Sequence, residues 1–213
     1  MKVLIGTPVH QCKDYSMKRW LENVATLQRK TPADLLLMDN SLGLEYVEMV
    51  KKYCLDYAVL DHRIEHFEID DTNIDSMRAR SMRVELAQEM IRREVLKGGY
   101  DAWFSWECDQ IIPANALDTL IRLMQSEHSM MIVHNSWSRT NSVDLNTNMG
   151  CALISQEALR KSWFLPERHG EISTHISDFY DVDETMFKKR LLRSGGNYIE
   201  VYGVITPIYH LNN

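Results

Sequence analysis

Two carboxylates, Glu107 and Asp109, follow directly on the apolar stretch Ala102-Trp103-Phe104-Ser105-Trp106. Residues two apart in an extended backbone point to the same side, so both acids can face one point beyond a buried strand. Acids held that close repel one another unless positive charge lies between them. Hard oxygen donors suit Mg2+ or Mn2+. An acidic pair that merely ends a strand at the surface gives the same letters, so the rest of the chain must decide. Cys108, between the acids, is expected to pack against the core side of the strand.

Further candidates lie elsewhere in the chain. Arg78, Arg80 and Arg83 fall in the first turns of a helix that opens at Asp75. Arginine opposes the dipole there, so an anionic ligand such as phosphate is a natural partner; a solvated basic face is the alternative. Among the tryptophans, Trp103 reads as core, Trp106 as packing near a ligand, and Trp137, in a polar loop, as a platform for a sugar or base.

The elements that must position these groups alternate. The stretch 3–9 reads as a short strand broken at Gly6 and Pro8, followed by a helix over 16–27 with Met17, Trp20, Leu21, Val24 and Leu27 on one face. A second strand ends in Asp39-Asn40-Ser41, a helix covers 44–53, and Ala58-Val59-Leu60 forms a short third strand. Residues 62–73 read as a surface loop, and the long helix then runs to Lys97, stopped by Gly98-Gly99. After the acidic strand come a helix over 114–126, a strand over 130–134, a polar loop over 135–148, a strand over 149–154 and a helix over 156–162. A second polar stretch, 166–178, has the composition of a lid, and 182–194 is helical up to Gly195-Gly196. Strands over 198–202 and 205–209 close the pattern. Such alternation implies an α/β fold with mostly parallel pairing and right-handed crossovers.

At 213 residues the chain is expected to form one domain. Its net charge of -6, without a long basic run, argues against wholesale electrostatic binding of nucleic acid. Cys12, Cys54, Cys108 and Cys151 have no metal-like spacing and read as free thiols of a reducing compartment. No signal peptide and no membrane-spanning run is evident, so a soluble, cytoplasmic protein is expected. Gly6-Thr7-Pro8-Val9-His10 is not a glycine-rich dinucleotide loop, so no nicotinamide or flavin site is expected.

Taken together, these motifs resemble the GT-A glycosyltransferases, nearest to the large family-two group, over almost the whole chain. That resemblance implies a GT-A (Rossmann-like) mixed, mostly parallel central sheet with helices on both faces. It implies one catalytic domain, with a nucleotide-sugar-binding half over 1–110 and an acceptor-binding half over 111–213. Thr7, Pro8 and Val9 match the turn that holds the base, Asp39 the acid that reads base or ribose, and Arg80 the arginine near the diphosphate, with Arg83 beside it. Glu107-Cys108-Asp109 matches the D-x-D motif of the donor and metal site, with Glu in the first place. Asn148, Met149 and Gly150 match the acceptor-side pattern. Asp183-Glu184 matches an acidic pair in swapped order, which makes Glu184 the base by spacing and Asp183 its neighbour. His210 matches a histidine that ligates the metal with Glu107 and Asp109.

The implied reaction is transfer of a sugar from a nucleotide-diphospho-sugar, UDP-linked by preference, to an acceptor hydroxyl, with inversion and with Mn2+ or Mg2+. Acceptors in view are a glycan, a lipid carrier or, as in phage-type sugar transferases, a modified DNA base. A nucleotidyltransferase is an alternative, but it needs a basic loop near the N-terminus that Thr7-Pro8-Val9-His10 does not supply. A non-catalytic nucleotide-sugar-binding module is the remaining one.

Overall fold

A computed structural model describes residues 1–70, 72, 74, 76–134, 149–165 and 183–212, leaving aside the side chains of Met77 and Asp183. The strands are β1 (Val3–Val9), β2 (Asp34–Asp39), β3 (His62–His66), β4 (Ala102–Trp106), β5 (Gln110–Ile111), β6 (Met131–His134), β7 (Cys151–Ser155), β8 (Ile199–Val201) and β9 (Tyr209–His210). The helices are α1 (Asp14–Lys30), α2 (Glu45–Asp56), α3 (Ser76–Lys97), α4 (Ala116–Ser126), α5 (Gln156–Lys161) and α6 (Asp183–Arg193), and a 3-10 turn over Gln11–Lys13 precedes α1.

Seven strands form one sheet in the order β3-β2-β1-β4-β7-β6-β8. The pairs β1/β2, β1/β4, β2/β3 and β6/β8 are parallel, while β7 runs antiparallel to both β4 and β6. The mixed, mostly parallel α/β sheet expected from the sequence is therefore present. Two cores cover its faces. Val9, Trp20, Val24, Leu37, Phe104, Trp106 and Leu120 belong to the one that α1, α2 and α4 cover. Leu4, Leu36, Ile91, Trp103, Ala152, Phe164 and Phe187 belong to the one under α3, α5 and α6.

This topology fixes where chemistry can occur. With β1 to β4 parallel, Val9, Asp39, His66 and Trp106 all end at one rim of the sheet. The reversal of β7 brings its first residue, Cys151, opposite Trp106, so the preceding Met149-Gly150 arrives at that same rim. Ligands of open α/β sheets bind beyond the carboxyl ends of strands.

Three sequence expectations are corrected. β1 is not broken at Gly6 or Pro8 but continues through both. A Cβ on Gly6 would lie 2.3 Å from Ile91 Cγ2 and 2.7 Å from Trp103 Nε1, so glycine here allows α3 to pack onto the strand. Pro8 is tolerated because pairing with β4 ends at Gly6, leaving no ladder bond for its missing N–H. The third strand is His62–His66, not 58–60, and so occupies part of the expected loop. It is an edge strand, and its polar residues reflect exposure rather than irregular structure. The last expected strand, 205–209, is cut back to Tyr209–His210, which pairs with Gln110–Ile111 in a small second sheet.

Candidate active site

The acidic motif is not extended. The N–H of Gln110 donates to the Glu107 carbonyl at 3.1 Å, which closes a turn over 107–110. A turn does not keep the alternation of a strand, and the two carboxylates part. Glu107 Oε2 accepts from Gln110 Nε2 at 2.8 Å and lies 3.9 Å from His210 Nε2. Asp109 is 1% exposed, and its Oδ2 accepts from the Lys13 ammonium and from the Tyr15 hydroxyl, the latter at 3.2 Å. The antiparallel pairing of β5 with β9 carries His210 to this place, and Leu211 N–H donates to the Asp109 carbonyl at 2.8 Å. The expected trio is thus brought together in part: Glu107 and His210 face each other, whereas the Asp109 carboxylate is turned to Lys13.

That arrangement tests the expected divalent ion. Among the described residues no group of three His, Cys, Asp or Glu side chains could hold a metal ion. The charge of Asp109 is met by a lysine of the 3-10 turn instead. As they stand, these donors do not fit Mn2+ or Mg2+.

On the donor side, Thr7 is fully buried and its hydroxyl donates to the Trp106 carbonyl at 2.8 Å, while Val9 sits in the core. The side chains of Thr7 and Val9 anchor β1, while Pro8 and His10 are partly exposed at its end. Asp39 is likewise fully buried. Its Oδ1 accepts from the Ser41 hydroxyl at 2.7 Å and its Oδ2 pairs with His66 Nδ1 at 2.7 Å. Burial pulls the His66 pKa down, but hydrogen bonds to Asp39 and Glu68 outweigh it and the net shift is upward. His66 and Glu68 therefore present this acid's network to the rim. Sequence reasoning missed both by reading an exposed edge strand as a loop.

Arg80 is exposed and Arg83 partly so. Arg83 faces His10, whose pKa is lowered first by burial and then by this guanidinium. A cavity of about 510 Å3 opens beside the 3-10 turn, lined by His10, Asp14 and Tyr46 among others. Asp14 Oδ1 and the Tyr46 hydroxyl are buried there and meet no partner among the described residues.

Cys108 packs in the core, as expected of its side chain, with its thiol pushed up to about 12, chiefly by desolvation. Trp106 is also core, 5.1 Å from Trp20 between ring centroids, with its N–H donated to the Gln110 carbonyl. Trp137, Asn148 and the suggested lid over 166–178 lie outside the described residues. Asp183 starts α6, and its side chain lies outside them as well.

Glu184, in the first turn of α6, is held at both oxygens. Gln88 Nε2 donates to Oε1 at 3.1 Å, and the Met149 N–H donates to Oε2 at 2.9 Å. Desolvation raises its pKa to about 7; the two hydrogen bonds oppose the rise and the nearby Glu107 adds to it. Met149 and Gly150 serve through their backbones. The Met149 side chain is core, and the Gly150 carbonyl accepts from Glu107 N–H at 2.9 Å.

No protein-family model and no curated protein matches the sequence. The solved structures do give matches. S. aureus TarS 1-349 in complex with UDP-GlcNAc superposes with TM-score 0.60 and 13% identity, covering 95% of this chain and 58% of that one. A mannosyltransferase, PcManGT from Pyrobaculum calidifontis, in complex with GDP-Man and Mn2+, gives TM-score 0.62 and 11% identity, covering 95% of this chain and 55% of that one. The fold is GT-A. A further TarS structure is covered over only 35% of its length, so this GT-A chain spans about a third to three fifths of the proteins it resembles. Among the described residues of the GT-A chain no helix is long and apolar enough to cross a membrane.

Proposed function

We propose that this chain is a glycosyltransferase domain that moves a sugar from a nucleotide-diphospho-sugar to an acceptor hydroxyl, with Glu184 as the general base. The observation that carries the reading is the placement of Glu184. It is a carboxylate with a pKa near neutrality, fixed at both oxygens, and tied through Met149-Gly150 to the acidic turn at the end of β4. A base works best when its pKa lies near the operating pH. The complexes of similar folds with UDP-GlcNAc and GDP-Man support a nucleotide-sugar as donor.

In this reading the nucleotide enters between His10 and the Asp39–His66 pair. Its diphosphate meets positive charge from Arg83, with Arg80 in reach from the exposed face of α3. The acceptor oxygen attacks the anomeric carbon, and the bond from that carbon to the diphosphate oxygen breaks, with the electron pair leaving on phosphate. The acceptor proton passes to Glu184, and in-line displacement by one nucleophile inverts the anomeric centre. His210 and Glu107 line the leaving-group side. None of these steps passes through a divalent cation; the Mn2+ in the mannosyltransferase complex makes metal addition a necessary arm of any assay.

The test is a donor screen read by mass spectrometry. UDP- and GDP-sugars are supplied with a mixed panel of glycan, lipid-carrier and modified-DNA acceptors, with Mn2+ and with chelator. Transfer by the wild type and its loss in Glu184→Gln support the proposal. Nucleotide-sugar binding without hydrolysis or transfer supports a binding module instead, and release of sugar-1-phosphate with the nucleoside monophosphate carried to an acceptor supports nucleotidyl transfer.

A further inference from the structure

Gln88 lies on α3 between Ala87 and Ile91, both fully buried in the core. It is itself only 4% exposed. Packing alone calls for an apolar side chain at such a position, since a buried amide must have its hydrogen bonds met. Half of this amide is met, because Nε2 donates to Glu184 Oε1 at 3.1 Å. The other half is not. Oε1 is buried and finds no partner among the described residues.

A base passes through two states. As a carboxylate it needs donors, and as a carboxylic acid it needs an acceptor for its own O–H. The Met149 N–H can serve only the first state. A side-chain amide can serve both, because rotation of its terminal torsion exchanges donor for acceptor. We propose that Gln88 is a positioning residue for Glu184, orienting the carboxylate before the proton arrives and accepting from the acid once it has arrived. The unmatched Oε1 is what such a role leaves over in the carboxylate state. Among the described residues, the charged groups that act on Glu184 are Glu107, across the Met149-Gly150 turn, and Lys188, one helical turn further along α6. A carboxylate only accepts and an ammonium only donates, so neither side chain offers the two-way bonding of the Gln88 amide.

This inference rests on Glu184 being the base, and two separate measurements keep the two ideas apart. The first needs no substrate. Protein labelled with 13C at glutamate carboxyls is titrated by NMR, and Glu184 is identified by the resonance missing from Glu184→Gln. Gln88→Met removes the donor at nearly constant volume, so the Glu184 midpoint is expected to rise by about one pH unit. Gln88→Glu places a second acid beside the first and is expected to split the titration into two steps, one still higher. If Gln88→Met does not fold, Gln88→Glu alone reads the coupling. The second measurement is the pH dependence of transfer from the donor that the screen finds. In Gln88→Met the acid limb of kcat is expected to follow the NMR midpoint, while donor KM stays within about twofold. A folded variant with an unchanged Glu184 midpoint overturns the role of Gln88 while leaving the base intact. Full transfer by Glu184→Gln overturns the base, and the role of Gln88 with it.

Discussion

Glu184 is bound to the backbone of Met149, whose N–H donates to its carboxylate at 2.9 Å. The next residue, Gly150, accepts from the N–H of Glu107 at 2.9 Å. A two-residue turn thus couples the acid on α6 to the acidic turn after β4, though the two lie far apart in sequence. Because the couplings use backbone atoms, the side chains at Met149 and Gly150 need not touch a ligand for these residues to shape the site.

The first prediction concerns pH. The folded-state pKa of Glu184 is raised to about 7, so the base is lost as pH falls through that value. Transfer is expected to fall about tenfold per pH unit well below pH 7, and Glu184→Gln to lose about two to four orders of magnitude. The stability effect has the opposite sign. A carboxyl with a raised pKa costs stability as pH rises from the ordinary glutamate range through about 7. Thermal melts at pH 8.5 should therefore place Glu184→Gln a few degrees above the wild type, with the gap closing below about pH 4.5.

His66 behaves in the other direction. Its net pKa shift is upward, so the stability it lends is fully present below the ordinary histidine pKa and is lost as pH rises through the folded value. His66→Gln should lower the melting temperature by a few degrees at pH 5.5 and by less at pH 9. Equal losses at both pH values would show that the Asp39–His66 hydrogen bond carries no net charge dependence.

Lys13 bears on the metal question. Its ammonium meets a carboxylate that is 1% exposed, so Lys13→Ala leaves a buried charge without that cation. The cost is expected to be about 3 kcal/mol, read as a lower midpoint in urea. Adding Mn2+ should recover part of the loss in Lys13→Ala and change the wild type little, by thermal shift without nucleotide. An equally large Mn2+ shift in the wild type would mean that a metal displaces Lys13 readily.

Gly6 gives a packing test. The Cβ of Gly6→Ala would fall 2.3 Å from Ile91 Cγ2, inside contact distance, and forces α3 off the strand. A loss of about 1–3 kcal/mol is expected, with partial recovery in the double variant Gly6→Ala, Ile91→Ala. The recovery is only partial because Trp103 Nε1 lies 2.7 Å from the same point.

Most of the sheet was legible because its strands are apolar on both faces and its helices carry their own period. The runs at Leu35-Leu36-Leu37 and Ala102–Trp106 are buried without exception, as their composition implied. β3 was not legible, because an edge strand such as His62–His66 has no apolar run to announce it. At the site, single residues read from local motifs fared worse than their neighbourhoods. The direction of the Asp109 side chain depends on a turn that closes through Gln110, and no periodicity signals such a turn. The partners Lys13 and Tyr15 arrive from a distant turn and helix, so the sequence held no local sign of them. The one available hint was Gln88 itself, an amide on the inward stripe between Ala87 and Ile91.

The antiparallel course of β7 has an evolutionary corollary. Groups contributed by the two halves of the chain meet at one edge, while the strands that carry them are locked by pairing far from it. Segments attached at that edge can lengthen, shorten or change composition without disturbing the ladder beneath. Met149, which holds Glu184, stands at that edge next to the start of β7. Diversification of the molecule recognised should therefore be concentrated in what joins the strands at that edge, with the sheet inherited nearly unchanged.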